Sequence, residues 1–447
     1  MAARLPPICC TERPMDNAEL ARRRDTLMRH IGENGVAVIA AAPERVRNRD
    51  VLHPYRQDSD FRYLTGFPEA DAVAVLVPGR DQGEYILFCR ERDPQRETWQ
   101  GRTIGQDAAV SDYGADDAFP IADIDDILPG LLEGREQLYC PMGADPAFDQ
   151  RLIAWVNALR ARARAGVKAP LEYVSLEHVV HEMRLVKSRA EVACLREAAR
   201  ISAAAHRRLL EVIRPGLREY EIEAELLYDF RRHNGEPAYP VIAGSGANAC
   251  VLHYTANDAE LPADGLILID AGIERAGYAA DITRTLPVSG RFSDEQRVIY
   301  QLVLDAQTAA LEQVRPGQHW NAAHEAATRV LVAGLVELGL LDGEVDALIE
   351  AGDYRRYFMH RTGHWLGMDV HDVGDYKVDG HWRELEPGMV LTVEPGLYIP
   401  PGSPVDPRWQ GIGVRIEDNC LVTRDGHDNL TEAAPKTIAD IEGAMAG

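Results

Sequence analysis

A long apolar run is missing from this chain of 447 residues. No stretch of 18 apolar residues occurs, so no transmembrane helix is expected. The residues from Met1 to Met15 lack an apolar core and do not read as a secretory signal. They are expected to form a disordered extension. Positive charge is in deficit: 71 acidic residues against 48 basic ones leave a formal net charge of −23. Binding phosphates requires a basic face, so nucleic acid and anionic membrane are excluded as partners. Cysteine is scarce. Seven residues, an odd number, do not make a disulfide framework. Cys9 and Cys10 lack a second Cys/His pair nearby and make a poor zinc site. These absences point to the cytoplasm. Hydrophobic residues are not scarce. At 46% they are enough for one or more large cores.

Residues 16–177 read as one α/β domain. Short apolar runs at Val36–Ala41, Ala72–Val77 and Tyr85–Phe88 predict strands, and Glu19–Ile31 and Pro146–Ala163 predict amphipathic helices. The second domain is placed at 178–447. It begins with a long helix whose N-cap is Ser188, with Glu191 three residues on, a capping box. A weak internal repeat follows. Leu210 to Gly216 resembles Leu311 to Gly317, and in each copy a long helix precedes the Arg-Pro-Gly break and another follows. Two such halves would pack about a pseudo-twofold axis with a site between them.

The chemistry is carried by acids that end apolar runs. Gly265–Ile269 is aliphatic and closes on Asp270. Asp281 lies between Ala280 and Ile282 in a predicted strand from Tyr278 to Thr285. A hairpin through Glu274–Gly277 would place Asp270 and Asp281 side by side. Glu394 ends Met389–Val393, and Glu417 closes Gly413–Ile416. A lone acid at a strand end is ordinarily a turn former or helix cap. Four of them are different, because neighbouring buried carboxylates repel unless a cation neutralises them. The histidines His360, His364 and His371 lie in one short stretch. Carboxylates mixed with imidazole suit Mn²⁺, Zn²⁺ or Co²⁺, and four negative charges match two divalent ions better than one. Two such ions activate water and polarise a carbonyl.

These motifs resemble those of the "pita-bread" metallopeptidases, specifically the aminopeptidase P group. The matching stretches are His253-Tyr254-Thr255, Leu268 to Gly272, Asp281 to Thr285, His360 to His371, Val393 to Tyr398 and Gly413 to Asp418. In the N-terminal half, Pro54 to Phe67 and Trp99 to Gln106 are also similar. The resemblance implies an α+β fold: a pita-bread catalytic domain with pseudo-twofold halves behind a creatinase-like α/β domain. It implies that Asp270 binds one metal, that His364 and Glu394 bind the other, and that Asp281 and Glu417 bridge both, with Mn²⁺ the first choice. A bridging hydroxide would attack the amide before proline. His253 and His371 would contact that amide or move protons, and Arg415 would orient acidic ligands or substrate. His360 and Tyr398 would line a proline pocket. Trp99 would reach a neighbouring subunit's site in a homo-oligomer, a dimer or tetramer. The implied substrates are peptides beginning Xaa-Pro. The alternatives are a prolidase, cleaving Xaa-Pro dipeptides only, and a non-catalytic binding protein on the same fold. Arg361 and Gly363 stand where many relatives carry Gly and Ser, and Tyr376–Glu384 matches nothing in the pattern.

Overall fold

The computed structural model describes residues 15–446. The extension expected at residues 1–15, with Cys9 and Cys10, lies outside them except for Met15, which is buried. The chain forms two compact units that divide between Met183 and Arg184.

The N-terminal unit is built on a six-stranded mixed sheet. Its central strand, Gly35–Ala40, pairs antiparallel with Val73–Leu76 and parallel with Gln137–Cys140. All three read as near-continuous buried apolar residues, as a sheet covered on both faces requires. Helices Asn17–Ile31 and Pro146–Ala161 contribute Leu27, Ile31, Leu152, Val156 and Leu159 to the buried apolar set.

The C-terminal unit repeats one plan. Helices Arg189–Val212 and Glu219–Arg232 precede the antiparallel strands Ile242–Ser245, Leu266–Asp270 and Thr283–Pro287. Helices Asp294–Leu311 and Ala322–Glu337 then precede Val390–Val393, Gly396–Ile399, Ile412–Arg415 and Asp418–Val422. Gly216 and Gly317 follow the two prolines with φ of 83° and 78°, the left-handed conformation that ends each helix connection. Ser188 and Glu191 form the capping box.

One strand departs from expectation. Tyr278–Thr285 is not continuous. Tyr278–Ala279 pairs with Glu274–Arg275 in a hairpin, and a new strand starts at Thr283. Between them the chain leaves the ladder, because the Asn419 side chain accepts from Asp281 N (3.0 Å) and donates to Asp281 O. Gly272 makes room for this: a Cβ there would stand 1.7 Å from Ala280 O.

The helix Arg189–Val212 packs behind the site and buries His206, whose Nε2–H donates to Ala271 O at 2.9 Å. Burial pushes this imidazole down to about 4. An unfolded histidine titrates near ~6.5. Between these values the unfolded chain binds a proton that the folded chain refuses, so stability falls as pH falls through this window. The expected loss is a few kcal/mol. Urea midpoints at both ends of the window should fall less in His206→Phe than in the parent; equal slopes would contradict the assignment.

Candidate metal centre

Each acid is placed by a strand end. Asp270 is the last residue of its strand and pairs with Thr283 across the ladder. Asp281 hangs from the Asn419 clamp. Glu394 follows Val390–Val393, and its N–H donates to Thr362 O at 2.8 Å. Glu417 lies between Ile412–Arg415 and Asp418–Val422; its N–H donates to Thr283 O (3.1 Å), and it accepts from Thr283 Oγ1 (2.6 Å). His364 comes from the loop beside Thr392: His364 N–H donates to Thr392 Oγ1 at 3.0 Å, and Thr392 N–H donates to His364 O at 2.9 Å. Gly363 permits that approach, because a Cβ there would stand 2.1 Å from Thr392 O.

These side chains converge. One ligand atom from each of Asp281, His364 and Glu417 fits within 4.8 Å. His364 Nε2 is 3.3 Å from Asp281 Oδ2 and 3.5 Å from Glu394 Oε1. Tyr239 joins Asp270 to the group, its hydroxyl lying 2.7 Å from Asp270 Oδ1 and 2.5 Å from Asp281 Oδ1. All five candidate ligands line one cavity of about 560 Å³, together with His253, His360, His371 and Arg415.

The electrostatics are those of crowded, dehydrated acids. Burial first, and then its acidic neighbours, push Glu394 up to about 7 and Glu417 well above the carboxylate range. Burial also raises Asp270, against the pull of Arg415. Burial alone would lower His364, but its bond to Asp281 and the charge of Glu394 carry it up to about 9. The same bond outweighs burial at Asp281 and holds that carboxyl low. The four carboxylates therefore favour positive charge in the space between them.

The donor set fits divalent cations. It is all oxygen and imidazole. His364 Nδ1 donates to Trp365 O (2.9 Å), which turns Nε2 toward the acids. Metal-bound histidines ordinarily show this arrangement. Of the guanidiniums in the lining, that of Arg415 is bonded to the acids, donating to Asp270 Oδ2 at 2.6 Å.

One expected lining residue lies deeper. Tyr398 does not line the cavity. It is fully buried behind the wall, in a proton-donor chain: Arg415 Nη1 donates to Tyr398 OH (2.9 Å), and Tyr398 OH donates to His360 Nε2 (2.8 Å). His360 Nδ1 then donates to Arg361 O at 2.7 Å. With both nitrogens occupied, His360 offers the cavity carbon edges, and burial pushes its titration down to about 3. Trp99 is in the N-terminal unit and 88% exposed, so it is no core residue. Sequence reading missed Tyr239 and Asn419, which tie the acids together from a distance.

The chain also resembles known proteins along nearly its full length. Residues 193–424 match the model of metallopeptidase family M24, and residues 20–139 match the aminopeptidase P N-terminal domain. The Xaa-Pro aminopeptidase of Escherichia coli (strain K12) is 46% identical over 96% of this chain and 97% of its own length. The solved Pseudomonas aeruginosa aminopeptidase PepP superposes with a TM-score of 0.96 at 58% identity, covering 97% of this chain and 98% of that one. Zn-substituted E. coli aminopeptidase P, solved in complex with product, superposes with a TM-score of 0.94 at 45% identity over 97% and 98% of the two chains. The chain belongs to metallopeptidase family M24, in the branch that carries the aminopeptidase P N-terminal domain.

Proposed function

We propose that this protein is a dinuclear-metal aminopeptidase that releases the first residue of peptides with proline second. The observation that carries the reading is the convergence of four carboxylates and the His364 imidazole in one cavity. Its family and its full-length likeness to Xaa-Pro aminopeptidases support the specificity. Prolidase, the dipeptide-specific alternative, finds no such support. A non-catalytic binding protein is disfavoured because the sequence carries a ligand residue type at all five candidate positions.

Asp270, Asp281, His364, Glu394 and Glu417 would hold two divalent ions, Mn²⁺ first, with Zn²⁺ or Co²⁺ as alternatives; a Zn-substituted relative has been solved. Bound there, such ions lower the pKa of water and polarise a carbonyl. The rest is done by the chain's own side chains. A proline amide lacks an N–H, so recognition rests on shape rather than on a donated bond. Ile242, Leu252, Val370 and the carbon edges of His360 line the cavity and suit a pyrrolidine ring. Water oxygen adds to the carbonyl carbon, the C–N bond breaks, and the proline nitrogen must take a proton. His253 and His371 stand on the cavity wall, and the His371 ring is 4.3 Å from that of His364. Burial, and then His364, lower His371, which keeps it neutral and able to accept a proton. Arg415 fixes Asp270 and, through Tyr398, His360.

We place the enzyme in the cytoplasm. Cys89, Cys140, Cys194, Cys250 and Cys420 are free thiols, and among the described residues no helix is long and apolar enough to cross a membrane. The 88% exposure of Trp99 supports a homo-oligomer, a dimer or tetramer, that covers it.

The test is a substrate panel: Gly-Pro against Xaa-Pro-Xaa tripeptides and their Xaa-Ala-Xaa counterparts, with Mn²⁺, Zn²⁺ and Co²⁺ in turn. Cleavage of the Xaa-Pro tripeptides is expected to dominate and to vanish with chelator. Preference for Gly-Pro would make the enzyme a prolidase, and equal cleavage of the alanine series would refute proline specificity.

A further inference from the structure

Two guanidiniums line the cavity, those of Arg361 and Arg415. Arg415 is fully engaged and buried: it donates to Asp270, Thr283 and Tyr398. Arg361 is different. It is exposed, and among the described residues its side chain makes no hydrogen bond and no ion pair. It is nevertheless held. Its Cζ lies 5.0 Å from the centre of the Trp382 ring, and Lys377 Nζ lies 4.3 Å from the same ring.

Trp382 belongs to the segment the sequence pattern left unexplained. Lys377–Val378 and His381–Trp382 form a hairpin that turns on Asp379 and Gly380, both with positive φ. The hairpin is anchored beside the catalytic loop. Tyr376 stacks on Trp365 (3° between planes, centroids 5.5 Å apart) and accepts from Trp365 N at 3.2 Å. Trp365 follows His364 directly.

A guanidinium lying over an aromatic ring uses its face for that contact and keeps its N–H edge free. That edge is a planar fork matched to a carboxylate. The neighbouring residue on the wall is His360, whose carbon edges suit the proline ring. The segment of substrate beyond proline ends, in a short peptide, in a carboxylate. Of the two guanidiniums lining the cavity, Arg361 is the one whose N–H groups make no hydrogen bond and no ion pair among the described residues.

We propose that Arg361, held by Trp382, binds the free C-terminal carboxylate of short Xaa-Pro peptides and so sets a preference for tripeptide-length substrates. This rests on the Xaa-Pro aminopeptidase reading above and deepens it.

The experiment compares kcat/KM for Ala-Pro-Ala with that for its C-terminal amide, and for Ala-Pro-Glu amide with that for Ala-Pro-Gln amide, in the holoenzyme. The parent is expected to favour the free acid about tenfold or more, the worth of one charge-assisted bond. The Glu/Gln pair should show a smaller ratio, since a side-chain carboxylate stands elsewhere. Arg361→Met should bring the acid/amide ratio close to one, Arg361→Lys should keep part of it, and Trp382→Leu should reduce it through KM rather than kcat. A ratio unchanged in Arg361→Met would overturn the proposal while leaving the peptidase reading intact. A Glu/Gln ratio above the acid/amide ratio would assign Arg361 to an acidic third residue instead. No cleavage of any Xaa-Pro peptide would overturn both.

Discussion

Asp281→Ala is expected to lower turnover on an Xaa-Pro tripeptide by roughly three or more orders of magnitude while the protein still folds. The size follows from what Asp281 touches. Its carboxylate is within 4.8 Å of both His364 and Glu417, carries the 3.3 Å contact to His364, and shares the Tyr239 hydroxyl with Asp270. Removing it strips a ligand from the centre of the set, and catalysis by activated water depends on the whole set. Folding is spared because the fold holds Asp281 by its backbone: the Asn419 clamp needs only the peptide N–H and C=O. The loss should therefore lie in kcat and bound metal, in a chain that still folds. Turnover within tenfold of the parent would show that Asp281 is not a bridging ligand.

The second large effect is on stability. Arg284 is the neighbour of Thr283 but points the other way, and it is 2% exposed. It donates to Asp418 Oδ1 (2.7 Å), Thr283 O (2.9 Å), Ala434 O (3.0 Å) and Glu417 O. Asp418, fully buried, also receives Lys436 Nζ, Gln307 Nε2 (3.1 Å) and Thr431 Oγ1 (2.9 Å). Against burial, Arg284 and Lys436 hold this carboxyl far below its usual range. Breaking a buried pair from one side leaves the other charge uncompensated, which costs about 3–5 kcal/mol. Arg284→Met should lose that much in urea unfolding, and the paired change Arg284→Met with Asp418→Asn should lose less than the sum of the two single changes. A single-variant loss below about 1 kcal/mol, the range of a surface pair, would contradict the account.

These two residues show which parts of the site were legible in the sequence. The acids could be read because a buried aliphatic run that ends in a carboxylate is costly without a partner, and that cost is visible locally. Asp270, Glu394 and Glu417 stand at or beside strand ends as the pattern implied. The break at Asp281 could not be read. Alternation ran unbroken from Tyr278 to Thr285, and the side chain that interrupts it, Asn419, lies 138 positions away. Its one signal was a polar residue inside an apolar strand, the same clue that marked Asp281. Tyr239 carried no clue, since a tyrosine before a proline is equally a packing residue. The depth of Tyr398 could not be read, because a motif gives position along the chain and not distance from the surface: it is fully buried and meets the cavity lining through His360. The hairpin of Lys377–Val378 with His381–Trp382 was not read, although Asp379-Gly380 is a turn signal, and Trp382 meets Arg361 across 21 residues.

The most direct measurement is bound metal per chain, read by elemental analysis on the same samples used for Xaa-Pro turnover, as Mn²⁺ is added back to chelated protein. Two ions per chain are expected, with turnover rising alongside them, and Asp281→Ala and Glu417→Ala should each fall below two. Full turnover in protein that holds no divalent ion would contradict the account.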